Sequence, residues 1–266
     1  MEMQTGAPRG GEPADECPGE VLERERWTRT RVGLGEPGVR FDWEAAFGRK
    51  ARRVVDLGCG NGLYLIQSGY ARPDTDHLGV ELVPPAVRMG SLRAGQRGLT
   101  NVKFAWGDAS EFICERVEPG SLDEVHLYHP QPYYDRAKIL KRQLSPRTLL
   151  AIWLALRAGG LFVFQTDNPE YARYAHENAG QLFEWRPRKG PWEDAPDGRT
   201  QRERVARFQG LEIFRVEAAR LPLEEREARR RVAGMMEPDF DANKKGFEGR
   251  SPRGGGSGRR GPRRRA

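Results

Sequence analysis

Short apolar runs alternate with helical patterns from about residue 31 to residue 220. Five runs have β-branched or aromatic centres and predict strands: RRVVDLG, DHLGVEL, NVKFAWG, LDEVHLYH and GGLFVFQTD. The segments between them have helical patterns: GLYLIQSGYA, PPAVRMGSLRAGQRG, ASEFICERV and SPRTLLAIWLALRAG. Strands that alternate with helices are typical of βαβ units. The pattern therefore predicts an α/β fold with a mainly parallel sheet and helices on both faces.

Two later segments, RERVARF and LEIFRVEAA, are joined by Gln209 and Gly210, a short polar turn. They predict an antiparallel hairpin at one edge, which brings the sheet to seven strands. The stretch FEWRPRKGPWEDAPDGRT before them is polar and rich in proline, and it predicts a surface loop near the ligand pocket. In the helix that starts SPRTLL, Ser145 is the expected N-cap, and Gly159 is expected to lie past the last turn.

Composition divides the chain into four parts. Residues 1–30 are rich in Gly, Pro and Glu and predict a disordered leader. Residues 31–222 form the predicted domain, and residues 223–243 predict a short charged helix or linker. Residues 244–266 hold nine Lys and Arg against a single Glu and predict a disordered basic tail. This tail resembles arginine- and glycine-rich segments that bind nucleic acids without sequence preference, although a solvated tail is the simpler interpretation.

Charge and cysteine content narrow the class of protein. The 266 residues carry a formal net charge of +7, which suits a polyanionic partner without requiring one. The chain has three cysteines with no CxxC spacing, which argues against a zinc site or a disulfide framework. It has no apolar run of 18 residues, and its first 20 residues lack the basic start and apolar stretch expected of a secretory signal. We therefore expect a cytoplasmic protein without a metal site or membrane span; the oligomeric state, monomer or homodimer, stays open.

The stretch VVDLGCGNGLYL places Gly58, Gly60 and Gly62 directly after the first predicted strand, at the start of a helix. Glycines let the backbone approach a ligand, and free N–H groups at a helix start favour a nucleotide. The GxGxG spacing differs from the GxGxxG of dinucleotide sites. Asp56, two positions earlier, suits a cationic amino-acid group better than a pyrophosphate. NAD binding and plain turn glycines in another α/β fold remain as alternatives.

The D-x-G-x-G-x-G arrangement resembles the first motif of class I S-adenosylmethionine-dependent methyltransferases. The resemblance implies a Rossmann-like fold and a cofactor held by Asp56 and the three glycines. Such enzymes place a carboxylate on the ribose hydroxyls at the end of the second strand, where this chain has Glu81 in GVEL. They commonly place a group near the adenine at the end of the third strand, where this chain has Asp108 in WGDAS.

The fourth predicted strand runs into HPQPYY. Proline cannot donate to a sheet ladder, so the strand must stop there. Ligands of open parallel sheets bind at the carboxyl ends of the strands, which places Gln131 beside the methyl donor, where the methyl acceptor must lie. Cations follow that suit phosphate contacts or form a plain solvated face: Arg136, Lys138, Lys141 and Arg142.

From about Phe41 to Glu217 the chain resembles the bacterial tRNA (guanine-N7)-methyltransferase family. The motifs that carry the resemblance are DLGCGNG, GVEL with GDAS, the proline-flanked turn, TDNPEYARY and TQRERVARFQG. It implies methyl transfer from S-adenosylmethionine to N7 of a guanine in the variable loop of tRNA. It further implies guanosine contacts by Asp167, Thr200 and Glu203.

The proline-flanked turn departs from the family pattern, which is usually Phe-Pro-Asp-Pro-Trp and then a lysine. This chain has His129, Gln131 and Tyr133 in the turn and Asp135 at the lysine position. Tyr133 and Tyr134 are expected to stack on a base or to pack over the sheet edge, and Asp135 and Arg136 are expected near the substrate. His129 lies close enough to the expected site to hydrogen-bond a substrate.

Guanine N7 already carries a lone pair, so its attack on a methyl group needs alignment rather than a base. Gln131 keeps a carbonyl acceptor without the charge and is the predicted catalytic residue, in a working but retuned enzyme. Two alternatives remain. One is a methyltransferase that acts on another RNA site, an amino group or a small molecule. The other is a non-catalytic module that keeps the cofactor pocket and binds RNA.

Overall fold

The computed structural model describes residues 17–36 and 38–243. Eight strands of these residues form one sheet in the order β1-β4-β3-β2-β5-β6-β8-β7. The strands are β1 Arg31–Val32, β2 Arg52–Leu57, β3 Thr75–Glu81, β4 Val102–Trp106, β5 Leu122–Tyr128, β6 Leu156–Thr166, β7 Phe183–Arg188 and β8 Phe214–Arg220. All pairs from β1 to β6 are parallel, whereas β8 pairs antiparallel with both β6 and β7. The predicted α/β class with a mainly parallel sheet is confirmed.

Helices cover both faces of this sheet, as predicted. They are α1 Trp43–Phe47, α2 Leu63–Ala71, α3 Pro84–Gln96, α4 Ala109–Glu111, α5 Pro146–Ala155, α6 Pro169–Ala179, α7 Gln201–Phe208 and α8 Glu225–Ala233. Side chains of consecutive strand residues point to opposite faces. Val54 accordingly packs in a core with α2 and α3, whereas Val55 packs in a second core with α5, α6 and α8.

The antiparallel edge differs from the predicted hairpin. RERVARF lies in α7, and β8 instead pairs with β7, within the stretch expected to be a loop. The physical reason is the start of the helix: Thr200 accepts a hydrogen bond from the backbone N–H of Glu203 at 3.1 Å, which favours a helix over a strand. Gly210, at φ 70°, then follows the helix. The count of seven strands was therefore wrong, since β7 and the short β1 are present and the RERVARF strand is not.

Helix α5 starts as predicted and ends early. The side chain of Ser145 accepts a hydrogen bond from the N–H of Thr148, as an N-cap does. The helix stops at Ala155 because Leu156, which is fully buried, already pairs with Leu122 of β5. Burial in the sheet thus outweighs the helical pattern of the last three residues.

The first described residues pack on α3 rather than standing apart from the domain. The backbone N–H of Leu22 donates to Gln96 at 2.9 Å, and that of Thr28 donates to Gly95 at 3.1 Å. Residues 17–30, which we assigned to the leader, therefore contact the domain. The predicted leader otherwise lies in residues 1–16, outside the described residues, as does the predicted tail at 244–266. Helix α8 lies within the predicted charged segment at 223–243.

Neither residues 17–36 nor residues 38–243 contain a helix that is long and apolar enough to cross a membrane. The same ranges contain no group of three or more His, Cys, Asp and Glu side chains placed to hold a metal ion.

Topology brings the predicted site residues to one edge. Strands β2, β3, β5 and β6 are parallel neighbours, so their carboxyl ends lie side by side. The glycine loop follows β2, and Glu81 ends β3. Gln131 and Asp167 follow β5 and β6.

Candidate active site

The glycine loop has a backbone that other residues rarely adopt. Gly58, Gly60 and Gly62 have φ of 80°, 54° and 77°, all in the left-handed region. A Cβ at Gly62 would lie 2.4 Å from the ring of Phe104, so glycine is also required there by packing. A Cβ at Gly60 would meet no described atom within 4 Å. The loop thus leaves open space beside the chain at Gly60, as a ligand cradle requires.

Asp56 carries an unsatisfied buried carboxylate. Asp56 is 1% exposed, and its Oδ1 has no hydrogen-bond partner within the described part of the chain. Burial, and then the negative charge of Glu81, raise the pKa of Asp56 well above its usual range. A buried acceptor without a donor is costly unless a ligand supplies one. The site therefore fits a ligand that brings a cationic amino group.

Glu81 holds the glycine loop to the end of β3. Its Oε2 accepts the backbone N–H of Gly60 at 2.9 Å, and its Oε1 accepts that of Val83 at 2.9 Å. These bonds fix the carboxylate beside the loop. Each oxygen keeps acceptor capacity, because an ionised carboxylate offers about four lone-pair sites. Glu81 can therefore also accept hydrogen bonds from a pair of ligand hydroxyls.

Asp108 lies at the rim of a cavity of about 820 Å³. Its Oδ1 accepts the N–H groups of Ser110 at 2.7 Å and Glu111 at 3.1 Å, so it caps α4. The cavity walls include Leu82 and Trp106, which are 58% and 56% exposed. Large apolar side chains beside a carboxylate suit a planar base with an amino group. Neither Leu82 nor Trp106 was among the predicted site residues.

A second cavity, of about 720 Å³, opens at the ends of β5 and β6. Gln131, which is exposed, and Asp167, whose side chain is 13% exposed, both line it. The predicted pair is thus brought together from positions 36 residues apart. Tyr134 rather than Tyr133 lines the cavity, together with Arg202. Arg202 forms an ion pair with Asp167.

Arg142 is buried, so it is available neither to a phosphate nor to a solvated face, and both of its predicted roles were wrong. Only 3% of the residue is exposed, and its guanidinium donates to backbone carbonyls on two segments. It donates to Pro132 at 2.6 Å and Tyr133 at 3.0 Å in the proline-flanked turn, and to Pro238 at 2.5 Å and Phe240 at 2.8 Å after α8. Arg142 therefore clamps the turn to the segment after α8, whose Ala242 lines the 720 Å³ cavity.

Asp135 and Arg136 lie beside this cavity rather than in its described lining. Asp135 Oδ1 accepts the N–H of Ala137 at 3.0 Å and so caps a short 3₁₀ helix, Arg136–Lys141. The side chain of Arg136 is 89% exposed. The segment thus presents exposed cations next to the cavity, as a contact with an anionic polymer requires. Substrate contacts by Asp135, Arg136 and Tyr133 stay predictions.

Thr200 and Glu203 start α7. The side chain of Glu203 is fully buried, accepts the backbone N–H of Arg199 at 2.8 Å and pairs with Arg215 at 2.6 Å. Both residues lie outside the described lining of the 720 Å³ cavity. The T-x-x-E spacing therefore has a structural explanation as a helix-capping pair. The predicted guanosine contacts of these two residues stay a prediction, and the described geometry gives them no direct support.

Fold and site together define the class. A mainly parallel sheet carries a left-handed glycine loop, an acid at each of three strand ends and the 720 Å³ cavity at the same edge. The protein is an S-adenosylmethionine-dependent methyltransferase of the class I fold, and the open cradle and the orphaned carboxylate of Asp56 fit that cofactor.

Comparison with known proteins specifies the family. Residues 50–216 match a family described as "Putative methyltransferase". The tRNA (guanine-N7)-methyltransferase of Alkalilimnicola ehrlichii is 30% identical over 187 residues, which cover 68% of this chain and 79% of that enzyme. The enzyme of the same name from Ralstonia nicotianae is 36% identical over 158 residues, 54% of this chain and 63% of that enzyme. The chain belongs to the tRNA (guanine-N7)-methyltransferase family.

A solved structure shares the fold. The 16S rRNA methyltransferase KamB superposes with a TM-score of 0.51 at 17% identity, over 68% of this chain and 93% of that one.

Proposed function

We propose that this protein transfers the methyl group of S-adenosylmethionine to N7 of a guanine in the variable loop of tRNA. One observation carries the proposal: Gln131 and Asp167 line one cavity at the edge that also bears the glycine loop. A Cβ placed at Gly58 would lie 3.5 Å from Oε1 of Gln143, at the end of the segment that begins with the proline-flanked turn. We call the glycine loop with Asp56 and Glu81 the donor side, and the 720 Å³ cavity lined by Gln131 and Asp167 the acceptor side. The two sides are therefore neighbours.

Asp167 supplies the charge on the acceptor side. Burial raises its pKa, but the hydrogen bond from His129 and the ion pair with Arg202 outweigh burial and lower the pKa to about 2. Asp167 is therefore ionised at neutral pH. A carboxylate accepts hydrogen bonds from N–H groups such as those on the pairing edge of guanine. Its negative charge would also stabilise the positive charge that develops on the purine during methylation.

Gln131 contributes an amide at the mouth of the same cavity, where its carbonyl can orient the base. When bound, S-adenosylmethionine supplies an electrophilic methyl group that N7 accepts with its own lone pair. Neither Gln131 nor Asp167 has to remove a proton before the transfer. The chain's own contribution is to align the base and to complement its charge.

The partner we propose is tRNA, held in part by the exposed cations of the segment Arg136–Lys141. The chain has only three cysteines and no CxxC spacing, which is consistent with a reducing compartment, and we place the enzyme in the cytoplasm. For residues 244–266 we propose an auxiliary, sequence-independent contact with the RNA.

The test is methylation of an unmodified tRNA transcript by the full chain, with 7-methylguanosine mapped by strand cleavage. We expect cleavage at one guanine of the variable loop. Gln131→Asp restores the acid that the family usually has, and it is the matched variant for the departure at this position. Failure of both proteins to modify any tRNA, with cofactor binding intact, would reject the proposal in favour of another acceptor or a binding module.

A further inference from the structure

Three side chains form a chain of hydrogen bonds that ends at Asp167. Trp192 Nε1 donates to Gln165 Oε1 at 2.5 Å, and Gln165 Nε2 lies 2.7 Å from His129 Nε2. His129 Nδ1 lies 2.9 Å from Asp167 Oδ1. Trp192 and Gln165 are 1% and 0% exposed, and the side chain of His129 is 4% exposed. The chain of bonds is therefore shielded from water up to Asp167.

The donor at one end sets the direction of every bond. An indole N–H only donates, so the oxygen of Gln165 must face Trp192 and its NH₂ group must face His129. The NH₂ group needs an acceptor, so His129 Nε2 must be unprotonated. In the neutral ring the proton then lies on Nδ1 and points at Asp167. Trp192 thus determines the tautomer of His129 through Gln165, which lies between them.

The two oxygens of Asp167 receive different partners. Oδ1 accepts the hydrogen bond from His129, and Oδ2 pairs with Arg202. One partner on each oxygen fixes the rotation of the carboxylate about its own axis. The backbone N–H of His129 also donates to the carbonyl of Gln165 at 2.6 Å, which ties the start of the turn to β6.

We propose that His129 is a positioning residue for the methyl-transfer reaction. Held in its Nδ1–H tautomer by Gln165 and Trp192, it aims the carboxylate of Asp167 into the cavity. The inference deepens the proposed function and rests on it, since it assigns Asp167 the guanine. Its physical advantage is preorganisation: a donor that cannot rotate holds a buried carboxylate better than a mobile water does.

The tautomer of His129 can be measured by NMR, without an activity assay. The chain has four histidines, and the imidazole signals of the ¹⁵N-labelled full-length protein are assigned to His129 by their loss in His129→Phe. We expect His129 to be protonated on Nδ1 alone at neutral pH. A proton on Nε2 would contradict the hydrogen-bond relay from Trp192 through Gln165 and His129 to Asp167, whether or not the enzyme proves to methylate tRNA.

Two substitutions at the same position separate positioning from packing. His129→Phe keeps a planar ring and removes the donor. His129→Asn keeps an N–H donor near the place of Nδ1, and asparagine tolerates the φ of 49° found at this residue. We expect His129→Phe to lower kcat on tRNA about 10-fold with unchanged affinity for S-adenosylmethionine, since it removes one hydrogen bond to a charged group.

His129→Asn should restore kcat to within about threefold of the wild type, since it restores that donor. The proposal is overturned if His129→Phe turns over like the wild type, or if His129→Asn is as slow as His129→Phe. A wild type that binds cofactor but methylates no tRNA would instead reject the proposed function. The tautomer measurement would still decide the relay in that case.

Discussion

The donor side and the acceptor side of this molecule are built differently. The glycine loop and Glu81 hold one another through backbone hydrogen bonds within a short stretch of chain, residues 56–83. The proposed acceptor cavity draws its walls from five segments, represented by Gln131, Asp167, Arg202, Phe214 and Ala242. The departures from the family pattern, His129, Gln131, Tyr133 and Asp135, lie in or beside this cavity.

The largest effect is expected on the donor side, from Asp56→Asn. Loss of a buried charge-assisted bond should weaken S-adenosylmethionine binding about 100-fold, which isothermal titration calorimetry would measure. Folding should not suffer, because burial and Glu81 raise the pKa of Asp56 and so make its ionised form unfavourable in the empty protein. The stability of the wild type relative to Asp56→Asn should therefore fall as the pH rises above about 4. Unchanged cofactor affinity would contradict the assignment.

On the acceptor side, Asp167→Asn should lower kcat/KM on tRNA about 30-fold and leave cofactor affinity unchanged, because it removes a charge that faces the base. The pKa of Asp167 is lowered to about 2, so its ionised form stabilises the fold. This stabilisation is present above the unfolded pKa of about 3.9 and is lost as the pH falls toward 2. Chemical denaturation at several pH values should show the wild type and the variant converging over that interval. A constant difference would argue against an ionised, paired Asp167.

A smaller effect tests whether the acceptor cavity is composite. Arg142→Ala removes the clamp between the proline-flanked turn and the segment after α8, and should cost about 2 kcal/mol of folding stability. Arg136→Ala is the matched control on the exposed side, where we expect a change within about 0.5 kcal/mol. If Arg136 contacts a phosphate, its loss should reduce the salt dependence of tRNA binding by about one unit of slope. Equal destabilisation by both changes would contradict the clamp.

The sequence predicts the donor side better than the acceptor side. The residues proposed for the donor side come from local patterns, glycine spacing and strand-end acids, and the structure places Asp56, Glu81 and Asp108 at successive strand ends. Their contacts with the cofactor stay a prediction. The role of Arg142 could not be found, because its burial depends on a segment almost 100 residues away. The hairpin was misassigned because a helix cap at Thr200 outweighs an apolar alternation that fits a strand.

The relay behind Asp167 gave one signal in the sequence. A histidine stands at 129, where the family pattern usually has phenylalanine, and that exchange marks a position at which polarity has been introduced. Its partners Gln165 and Trp192 lie in a strand and a loop that carried no motif. Only the pairing of β5 with β6 brings Gln165 beside His129. The hydrogen-bonded arrangement of His129, Gln165 and Trp192 is therefore visible only in the tertiary structure.

The most direct test of the account is a tRNA transcript whose target guanine in the variable loop is replaced by 7-deazaguanine. This base keeps the pairing edge that Asp167 is proposed to bind, and it lacks the N7 lone pair that attacks the methyl group. The account predicts that the substituted transcript still binds and competes with normal tRNA, and that methyl transfer to it is lost. Equal methylation of both transcripts would show that N7 of this guanine is not the acceptor.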